Sequence, residues 1–236
     1  HLLERLLPIV TADGYEIEVV DHRKKWDFNF TPVEQTSYEH VAWPKKHPAE
    51  GQPIILRDYQ VDIINEFLKN PQAVQEIATG AGKTLMTAAM SLCCEPFGRT
   101  VVIVPNKDLV RQTHADYVNM GLDVGVYFGD RKEYDKTHTI CTWQSLNILD
   151  KKSHDDDEIL GLAEFLEGVE CVMVDEVHMA KAEVLKKLLT QNLSNACIRW
   201  GLTGTVPKED FEFQSIRASL GEVVHRVAAH ELQDKG

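Results

Sequence analysis

The feature that most constrains this chain is the stretch Glu76–Thr84, where a short apolar strand runs into a glycine-rich turn and then a helix. The turn at residues 80–82 lets successive backbone N–H groups point into one concavity, because glycine has no Cβ to block it. A polyanion there would meet those amides, the positive end of the following helix and the ammonium of Lys83. Thr84 adds a hydroxyl where phosphate-binding loops hold Mg²⁺. The stretch therefore predicts a nucleoside-triphosphate site within an α/β fold.

A second stretch supports this prediction, because the loop by itself departs from the usual Gly-x-x-x-x-Gly-Lys-Ser/Thr pattern by having Ile77 at the first glycine. Residues 169–178 form an apolar run that ends in two consecutive carboxylates, Asp175 and Glu176. Neighbouring strand residues point to opposite sides, so the two carboxylates are expected to have different roles. We expect Asp175 to reach the Mg²⁺ shell opposite Thr84. We expect Glu176 to orient and deprotonate the attacking water.

The composition is that of an ordinary globular protein, with 236 residues, 43% hydrophobic and 26% charged. This length allows one large α/β domain plus something smaller. No run approaches the ~18 apolar residues that a membrane crossing needs, and no signal peptide is evident. The five cysteines lack metal-ligand spacing and fit small buried side chains in a reducing compartment. We therefore expect a soluble protein with no membrane partner, in the cytoplasm of a bacterial, archaeal or phage-infected cell, or in the nucleus of a eukaryote.

The net charge of −12 argues against a dedicated, electrostatically driven nucleic-acid binder. It does not exclude a motor that holds a nucleic-acid backbone through loop amides and a few local cations. A locally positive groove is our hypothesis for how so acidic a chain would hold a polyanion.

The N-terminal part of the chain is set apart by its pattern. Residues 1–12 are apolar enough for a helix, and residues 15–20 alternate as a half-buried strand does. They predict the tail of a small, incomplete α+β domain. The segment 21–53 is interpreted as a linker with packed turns, or alternatively as basic groups at 23–25 and 45–46 that touch a nucleic-acid backbone. The predicted domains are an accessory segment, 1–53, and an ATP-binding domain, 54–236.

The rest of the chain alternates strand and helix patterns, which predicts a doubly wound, mostly parallel sheet. Such sheets bind ligands beyond the C-terminal ends of their strands. Pro105, Thr142 and Asp175 fall at that edge, and the charge run at 154–158 is expected to be a solvated loop. The predicted strands are 74–78, 99–104, 124–127, 137–142, 169–175, 196–202 and 223–227, and the predicted helices are 56–69, 85–94, one through 109–114 and 211–220.

Two further positions allow alternative interpretations. Gln60, near the start of the first predicted core helix, has a carboxamide that can pair with both N6 and N7 of adenine, or it can be a solvated helix-start glutamine. Thr203 and Thr205 follow a buried strand, where their hydroxyls can sense the γ-phosphate or simply form a turn.

Together these motifs resemble the first RecA-like domain of a superfamily-two DExH helicase, a P-loop NTPase fold. The Leu-Arg-x-Tyr-Gln and Leu-Thr-Gly-Thr forms favour the branch that contains UvsW-like phage helicases, XPB repair helicases and type III restriction motors, and residues 1–20 are faintly similar to the N-terminal domain of the UvsW-like group. The matching segments are Leu56–Gln60 with the Q motif, Ala78–Thr84 with motif I, Val104–Gln112 with motif Ia, Thr142–Leu146 with the following strand-gripping motif, Asp175–His178 with the DExH box and Leu202–Thr205 with motif III.

The resemblance implies an ATP-dependent DNA helicase or translocase of repair or recombination, with ATP and Mg²⁺ as cofactors and DNA as partner, RNA being left open. The implied residues are Lys83, Asp175, Glu176 and His178 for catalysis; Arg57, Gln60, Thr79, Gly80, Ala81, Gly82, Lys83 and Thr84 for ATP; Thr84 and Asp175 for the metal; Thr203 and Thr205 for coupling; and Pro105, Asn106, Gln112, Thr142 and Gln144 for nucleic acid.

Such motors also need a second RecA-like domain, and the residues after Thr205 are too few to form one. That domain supplies an arginine finger, which is typically worth ~10³–10⁵ in turnover. We therefore expect this chain to bind ATP and Mg²⁺, to hydrolyse ATP poorly and not to unwind DNA alone. Two alternatives remain open: a motor subunit that moves along duplex without separating strands, and a non-motor ATP-binding module such as a kinase or regulatory switch.

Overall fold

The structure is a computed structural model that describes residues 2–20, 27–155, 161–179, 182–205 and 210–227. The helices are α1 (Leu2–Ala12), α2 (Asp58–Lys69), α3 (Lys83–Cys94), α4 (Lys107–Asn119), α5 (Trp143–Asp155), α6 (Leu162–Phe165), α7 (Ala182–Lys187) and α8 (Asp210–Leu220). The strands are β1 (Gln72–Ile77), β2 (Arg99–Val104), β3 (Val124–Phe128), β4 (Arg131–Lys132), β5 (His138–Thr142), β6 (Val169–Asp175), β7 (Ile198–Thr203) and β8 (Glu222–Val227). A 3₁₀ turn spans Val177–Met179 and a π-helical turn spans Leu188–Asn192.

The strands form one sheet in the order β4-β3-β5-β2-β6-β7-β1-β8. Every neighbouring pair is parallel except β3 with β4, so the predicted doubly wound fold is confirmed. The central strands are continuous apolar runs because helices cover both faces of the sheet. One buried cluster joins the sheet to α2, α3 and α4, and a second joins its other face to α5, α6 and α8. This arrangement brings the ends of β1, β2, β5, β6 and β7 to one edge.

Residues 27–53 pack against this sheet domain as a series of turns. The ring of Phe30 lies 5.1 Å from that of Phe97 and 5.9 Å from that of Trp200, measured between centroids. The side chain of Asn65 on α2 bonds both backbone polar groups of Val33, at 2.8 and 2.9 Å. The segment is thus anchored to the core by aromatic packing and by backbone hydrogen bonds. The division at residue 53 stays a prediction, and the basic group at 23–25 lies outside the described residues.

Two local predictions are wrong. Residues 15–20 are exposed and form no strand, since no strand of the described chain lies beside them to supply hydrogen bonds. The charge run at 154–158 was expected to be a loop, but its first two residues extend α5; residues 156–158 lie outside the description.

The predicted helix over residues 1–12 is confirmed as α1. Three of the five cysteines, Cys94, Cys141 and Cys171, are buried, as expected of small apolar side chains. No helix in the described ranges combines the length and the apolar character that crossing a bilayer requires.

Candidate nucleotide site

The phosphate-binding loop lies between β1 and α3, at the C-terminal edge of the sheet. Gly80 and Gly82 both have left-handed backbones, with φ of 87° and 81°. Only glycine adopts such values without strain, so these two residues allow the chain to turn tightly into α3. Between them, Ala81 is fully buried and anchors the turn to the core.

The acid pair, Asp175 and Glu176, lies directly beside this loop. The ammonium of Lys83 is in contact with Oε1 of Glu176, and its Nζ lies 3.9 Å from Oδ1 of Asp175. All three side chains are largely buried, with 10%, 20% and 4% of their surface exposed. The structure therefore brings together the two stretches on which the sequence interpretation depended.

The expectation that the two carboxylates point to opposite sides is wrong. Strand β6 ends at Asp175, and Glu176 turns away from the strand with a left-handed φ of 51°. The alternation of a strand therefore does not extend to Glu176, and both carboxylates reach Lys83. The backbone N–H of Glu176 also donates to Oδ1 of Asp175 at 2.9 Å.

The two carboxyl groups differ in acidity because their surroundings differ. Burial raises the pKa of Asp175 to about 6, with Lys83 opposing this and Glu176 adding to it. Burial would also raise the pKa of Glu176, but the bonds from Lys83 and from the Gly204 N–H, together with the charge of Lys83, outweigh it and hold that pKa below its usual value. Glu176 is therefore a carboxylate at neutral pH.

A series of polar contacts leads from Glu176 to the end of β7. Nδ1 of His178 lies 3.4 Å from Oε2 of Glu176 and 2.7 Å from the hydroxyl of Thr203. The Thr203 hydroxyl donates to the carbonyl of Thr205 at 2.7 Å, which leaves His178 as the donor to Thr203. The backbone N–H of Gly204 donates to Oε2 of Glu176 at 3.1 Å. The predicted catalytic and coupling residues thus form one contiguous network.

The predicted adenine-reading residue is tied to the loop. Gln60 is 6% exposed; its Nε2 donates to the carbonyl of Ala81 at 3.0 Å, and its Oε1 accepts from the N–H of Arg57 at 3.0 Å. The hydroxyl of Tyr59 donates to the same carbonyl at 3.3 Å. Gln60 is therefore not a solvated glutamine, and α2 fixes the position of the phosphate-binding turn.

A pocket of about 310 Å³ opens beside this turn. Trp43 and His47 stack with their ring centroids 3.9 Å apart and an angle of 7° between the ring planes, and both line the pocket. Arg57, Gln60 and the turn form other parts of its wall. The pocket thus combines a flat aromatic surface, polar side chains and the phosphate-binding loop.

Thr84, which was predicted to hold the metal, has a partner that sequence reasoning missed. Its hydroxyl donates to Oδ2 of Asp116 on α4. Burial raises the pKa of Asp116, while the bond from Thr84 lowers it. Asp116 lies one helical turn beyond Gln112, and both line the pocket, so helical spacing from Gln112 is the signal that could have identified Asp116.

The oxygen donors present fit Mg²⁺. This ion uses one or two carboxylates together with waters and substrate phosphates, and a buried hydroxyl at Thr84 and a buried carboxyl at Asp175 flank Lys83. The described residues contain no group of three or more His, Cys, Asp or Glu side chains that could hold a metal ion. The oxygens of Thr84 and Asp175 are thus of the chemical type that suits an ion shared with phosphate oxygens.

The residues predicted to bind nucleic acid lie in two different places. Pro105, Asn106, Thr142 and Gln144 lie together at the ends of β2 and β5, where Nε2 of Gln144 reaches the carbonyl of Pro105 at 3.4 Å. Asn106 caps α4 by accepting from the N–H of Leu109, and Thr142 bonds the side chain and N–H of Ser145. Gln112 instead lines the nucleotide pocket.

Comparison with known proteins identifies the family of the chain. The model of the family described as "Type III restriction enzyme, res subunit" matches residues 53–208, more than half of the chain. The DNA 3'-5' translocase XPB2 of Sulfurisphaera tokodaii is 28% identical over 199 residues, covering 84% of this chain and 41% of that protein. The ATP-dependent DNA helicase uvsW of Enterobacteria phage T4 is 24% identical over 189 residues, covering 75% of this chain and 35% of that protein. The chain spans between 25% and 41% of the length of the curated relatives it matches.

Solved structures share the fold. The UvsW helicase from bacteriophage T4 superposes with a TM-score of 0.68 at 18% identity, covering 95% of this chain and 77% of that one. The Sulfolobus solfataricus SWI2/SNF2 ATPase core in complex with double-stranded DNA gives a TM-score of 0.53 at 19% identity, covering 87% of this chain and 41% of that one. The architecture is therefore that of RecA-like helicase domains.

Proposed function

We propose, because the chain belongs to the family described as the Res subunit of type III restriction enzymes, that it is the nucleotide-binding half of an ATP-driven DNA helicase or translocase. The observation that carries this proposal is the convergence of Lys83, Asp175 and Glu176 at the left-handed turn. A lysine held by two carboxylates at a glycine turn has little structural purpose there, but it suits a site that exchanges this contact for a triphosphate.

Nucleotide binding follows from the pocket and the loop together. The base would lie against the stacked Trp43 and His47, and the phosphates would meet the turn amides and the N-terminus of α3. Lys83 would leave Glu176 for the β- and γ-phosphates. Mg²⁺, held by Thr84 and Asp175, would neutralise phosphate charge when bound.

Hydrolysis would depend on the release of Glu176. While Lys83 contacts it, its pKa stays low and its Oε1 is occupied. Once the ammonium of Lys83 contacts the phosphates instead, the carboxylate of Glu176 loses its ion pair and becomes a stronger base. It can then accept a proton from the attacking water. The Gly204 N–H would continue to hold the other oxygen of Glu176, which lies 3.4 Å from Nδ1 of His178.

Coupling to DNA would pass along the network from Glu176 through His178 to Thr203 and Thr205. The edge formed by Pro105, Asn106, Thr142 and Gln144 would contact phosphates and sugars, which gives little sequence preference. Gln112 is proposed as a nucleic-acid contact from its motif, although it lies by the nucleotide pocket. An arginine finger from a second RecA-like domain would complete the site, so this chain alone should turn over ATP slowly.

The test compares ATP binding and ATP hydrolysis in the chain and in two variants. Lys83→Ala should abolish binding of ATP·Mg²⁺, because it removes the phosphate-binding cation. Glu176→Gln should retain binding and lose the residual hydrolysis, because an amide cannot take the proton. ATP binding that is unchanged in Lys83→Ala would refute the site assignment, and strand separation by this chain alone would refute its dependence on a second domain.

A duplex-translocating motor is the second candidate, and the type III restriction family assignment favours it. ATPase rates of the intact protein with single-stranded, duplex and branched DNA distinguish the two. Stimulation by duplex without strand displacement would support translocation. Turnover that no nucleic acid changes would instead favour a non-motor ATP-binding module.

A further inference from the structure

A second, larger cavity lies away from the nucleotide site, between the β3–β4 hairpin and α5. Its volume is about 660 Å³, within the range of ~300–1,000 Å³ that small-ligand sites occupy. Aromatic and aliphatic surface comes from Tyr127, Tyr134, Ile148 and Leu149. Tyr134 and Ile148 are 37% and 53% exposed, so a ligand in the cavity would cover apolar surface that solvent now contacts. The cavity therefore presents flat apolar surface to a ligand from solvent.

Tyr134 is held in place. Its carbonyl accepts a hydrogen bond from the guanidinium of Arg99 at 2.7 Å, and its ring lies 6.3 Å from that of Phe165. The ring of Tyr127 packs edge-on against Phe165 at 4.8 Å. Both tyrosines are thus positioned before any ligand arrives, which lowers the entropic cost of binding.

Two lysines frame the same cavity. Neither Lys132 nor Lys152 has an acidic side chain within ion-pair distance among the described residues, and Asp130 is the single carboxylate in the lining. Nζ of Lys132 lies 4.3 Å from the ring centroid of Tyr127. Burial lowers the pKa of Lys132 and the charge of Lys152 lowers it further, while Asp130 opposes both. An anion between the two ammonium groups would relieve this repulsion.

The cavity adjoins the edge already proposed for nucleic acid. Ser145 lines it, and the hydroxyl of Ser145 lies 2.9 Å from that of Thr142. Gln144, the neighbour of Ser145, reaches the carbonyl of Pro105. A strand that crosses the ends of β2 and β5 would therefore come to the mouth of the cavity.

We propose that this cavity takes one nucleotide of a DNA single strand, with its base against Tyr134 and Ile148 and its phosphate between Lys132 and Lys152. Aromatic and aliphatic walls suit a base face, and paired ammonium groups suit a phosphate. This inference rests on the proposed function, because DNA must first reach the sheet edge. It also gives a chain of net charge −12 a cationic contact for a polyanion, since the lining carries two lysines and one carboxylate.

The experiment measures the affinity of the full chain for a labelled oligothymidylate and for a matched abasic strand, by fluorescence anisotropy at several salt concentrations. Tyr134→Ala should weaken oligothymidylate binding by about 5- to 150-fold and leave abasic binding unchanged, since base stacking is lost. Lys132→Gln and Lys152→Gln should weaken both strands. Each should reduce the slope of log affinity against log salt by about 0.7.

Two matched variants serve as controls, namely Tyr15→Ala, which removes a tyrosine that is 68% exposed, and Lys69→Gln, whose side chain is 73% exposed. Both should leave binding unchanged. A strand with 5-iododeoxyuridine, photo-crosslinked to the unmodified chain, should attach to a peptide that carries Tyr127 or Tyr134, and this readout does not depend on variant folding.

The outcomes separate the two claims. Base insertion would be overturned if the unmodified chain binds the strand and Tyr134→Ala binds it equally well. It would also be overturned if Tyr134→Ala loses the same affinity for the normal and the abasic strand. Either result would leave the proposed function intact. Crosslinks confined to other peptides would do the same. Failure of the unmodified chain to bind either strand would overturn both this site and the nucleic-acid part of the proposed function.

Discussion

At the scale of single residues, two glycines of the phosphate-binding turn share a left-handed backbone but differ in their surroundings. A Cβ placed on Gly80 would meet no atom within 4 Å, whereas a Cβ on Gly82 would lie 2.7 Å from Nε2 of Gln60. Gln60 uses that nitrogen to hold the carbonyl of Ala81. Gly82 is therefore required both by backbone conformation and by the contact between α2 and the turn.

Alanine at each glycine tests this difference. Both variants should lose about 1–2 kcal/mol of unfolding free energy from the left-handed backbone. Gly82→Ala should lose roughly 1 kcal/mol more, because the new methyl group displaces Gln60 and breaks its hydrogen bond. It should also weaken ATP binding more than Gly80→Ala does. Urea unfolding and nucleotide titration check both statements, and equal losses in the two variants would contradict them.

The sequence predicted which residues come together at this site, but it did not predict the contacts that they make there. Lys83, Asp175 and Glu176 were predicted because a phosphate loop and a strand-end acid pair are local patterns. That both acids face Lys83 was not predicted, because it depends on the left-handed backbone at Glu176, which no pattern specifies. The bond from Thr84 to Asp116 joins α3 to α4, so it follows from how two helices pack.

At the scale of elements, a buried histidine joins the start of β5 to the end of α3. His138 is fully buried, and its Nε2 lies 2.8 Å from Oε1 of Glu95, the residue that follows α3. Burial lowers the pKa of His138, although the contact with Glu95 works in the opposite direction. The folded protein therefore favours the neutral ring more than the unfolded chain does.

The burial of His138 predicts a pH-dependent stability. Because the pKa of His138 is lower in the folded protein, its contribution to the free energy of unfolding is complete above its unfolded-state pKa of about 6.5. This contribution is lost as the pH falls through the folded-state pKa. His138→Asn should be less stable than the parent at pH 8, since it loses the contact with Glu95, and the gap should narrow as the pH falls below 6.5. His40→Asn, at an exposed histidine, is the control. Urea unfolding across this range checks it, and a constant gap would contradict it.

Most elements could be predicted from the sequence because their patterns are local. The apolar run at 99–104 lies between two parallel strands as β2, as expected of a strand buried on both faces. The strand predicted at 15–20 does not form, because a strand needs a neighbouring strand for its backbone hydrogen bonds as well as an alternating pattern. The two-residue strand β4 was missed for the converse reason, since its partner β3 defines it.

At the scale of the whole molecule, residues 27–53 connect stability with the nucleotide pocket. Phe30 contributes to the core through Phe97 and Trp200, while Trp43 stacks on His47 in the pocket wall. The sequence suggested a linker with packed turns, and only the folded chain shows that its aromatic residues divide between these two places. No local pattern predicts this, because the partners lie far away along the chain.

Two substitutions within this segment should therefore have different effects. Phe30→Ala should lower the unfolding free energy by about 2–4 kcal/mol, because it opens a cavity among aromatic rings, and it should leave ATP affinity unchanged at temperatures where the variant is folded. Trp43→Ala should cost less stability and weaken ATP binding, because the base loses its stacking surface. Inorganic triphosphate is the matched probe, since it uses the phosphate turn but has no base. Trp43→Ala should leave triphosphate binding unchanged, so equal weakening of ATP and triphosphate would show that Trp43 supports the turn rather than the base.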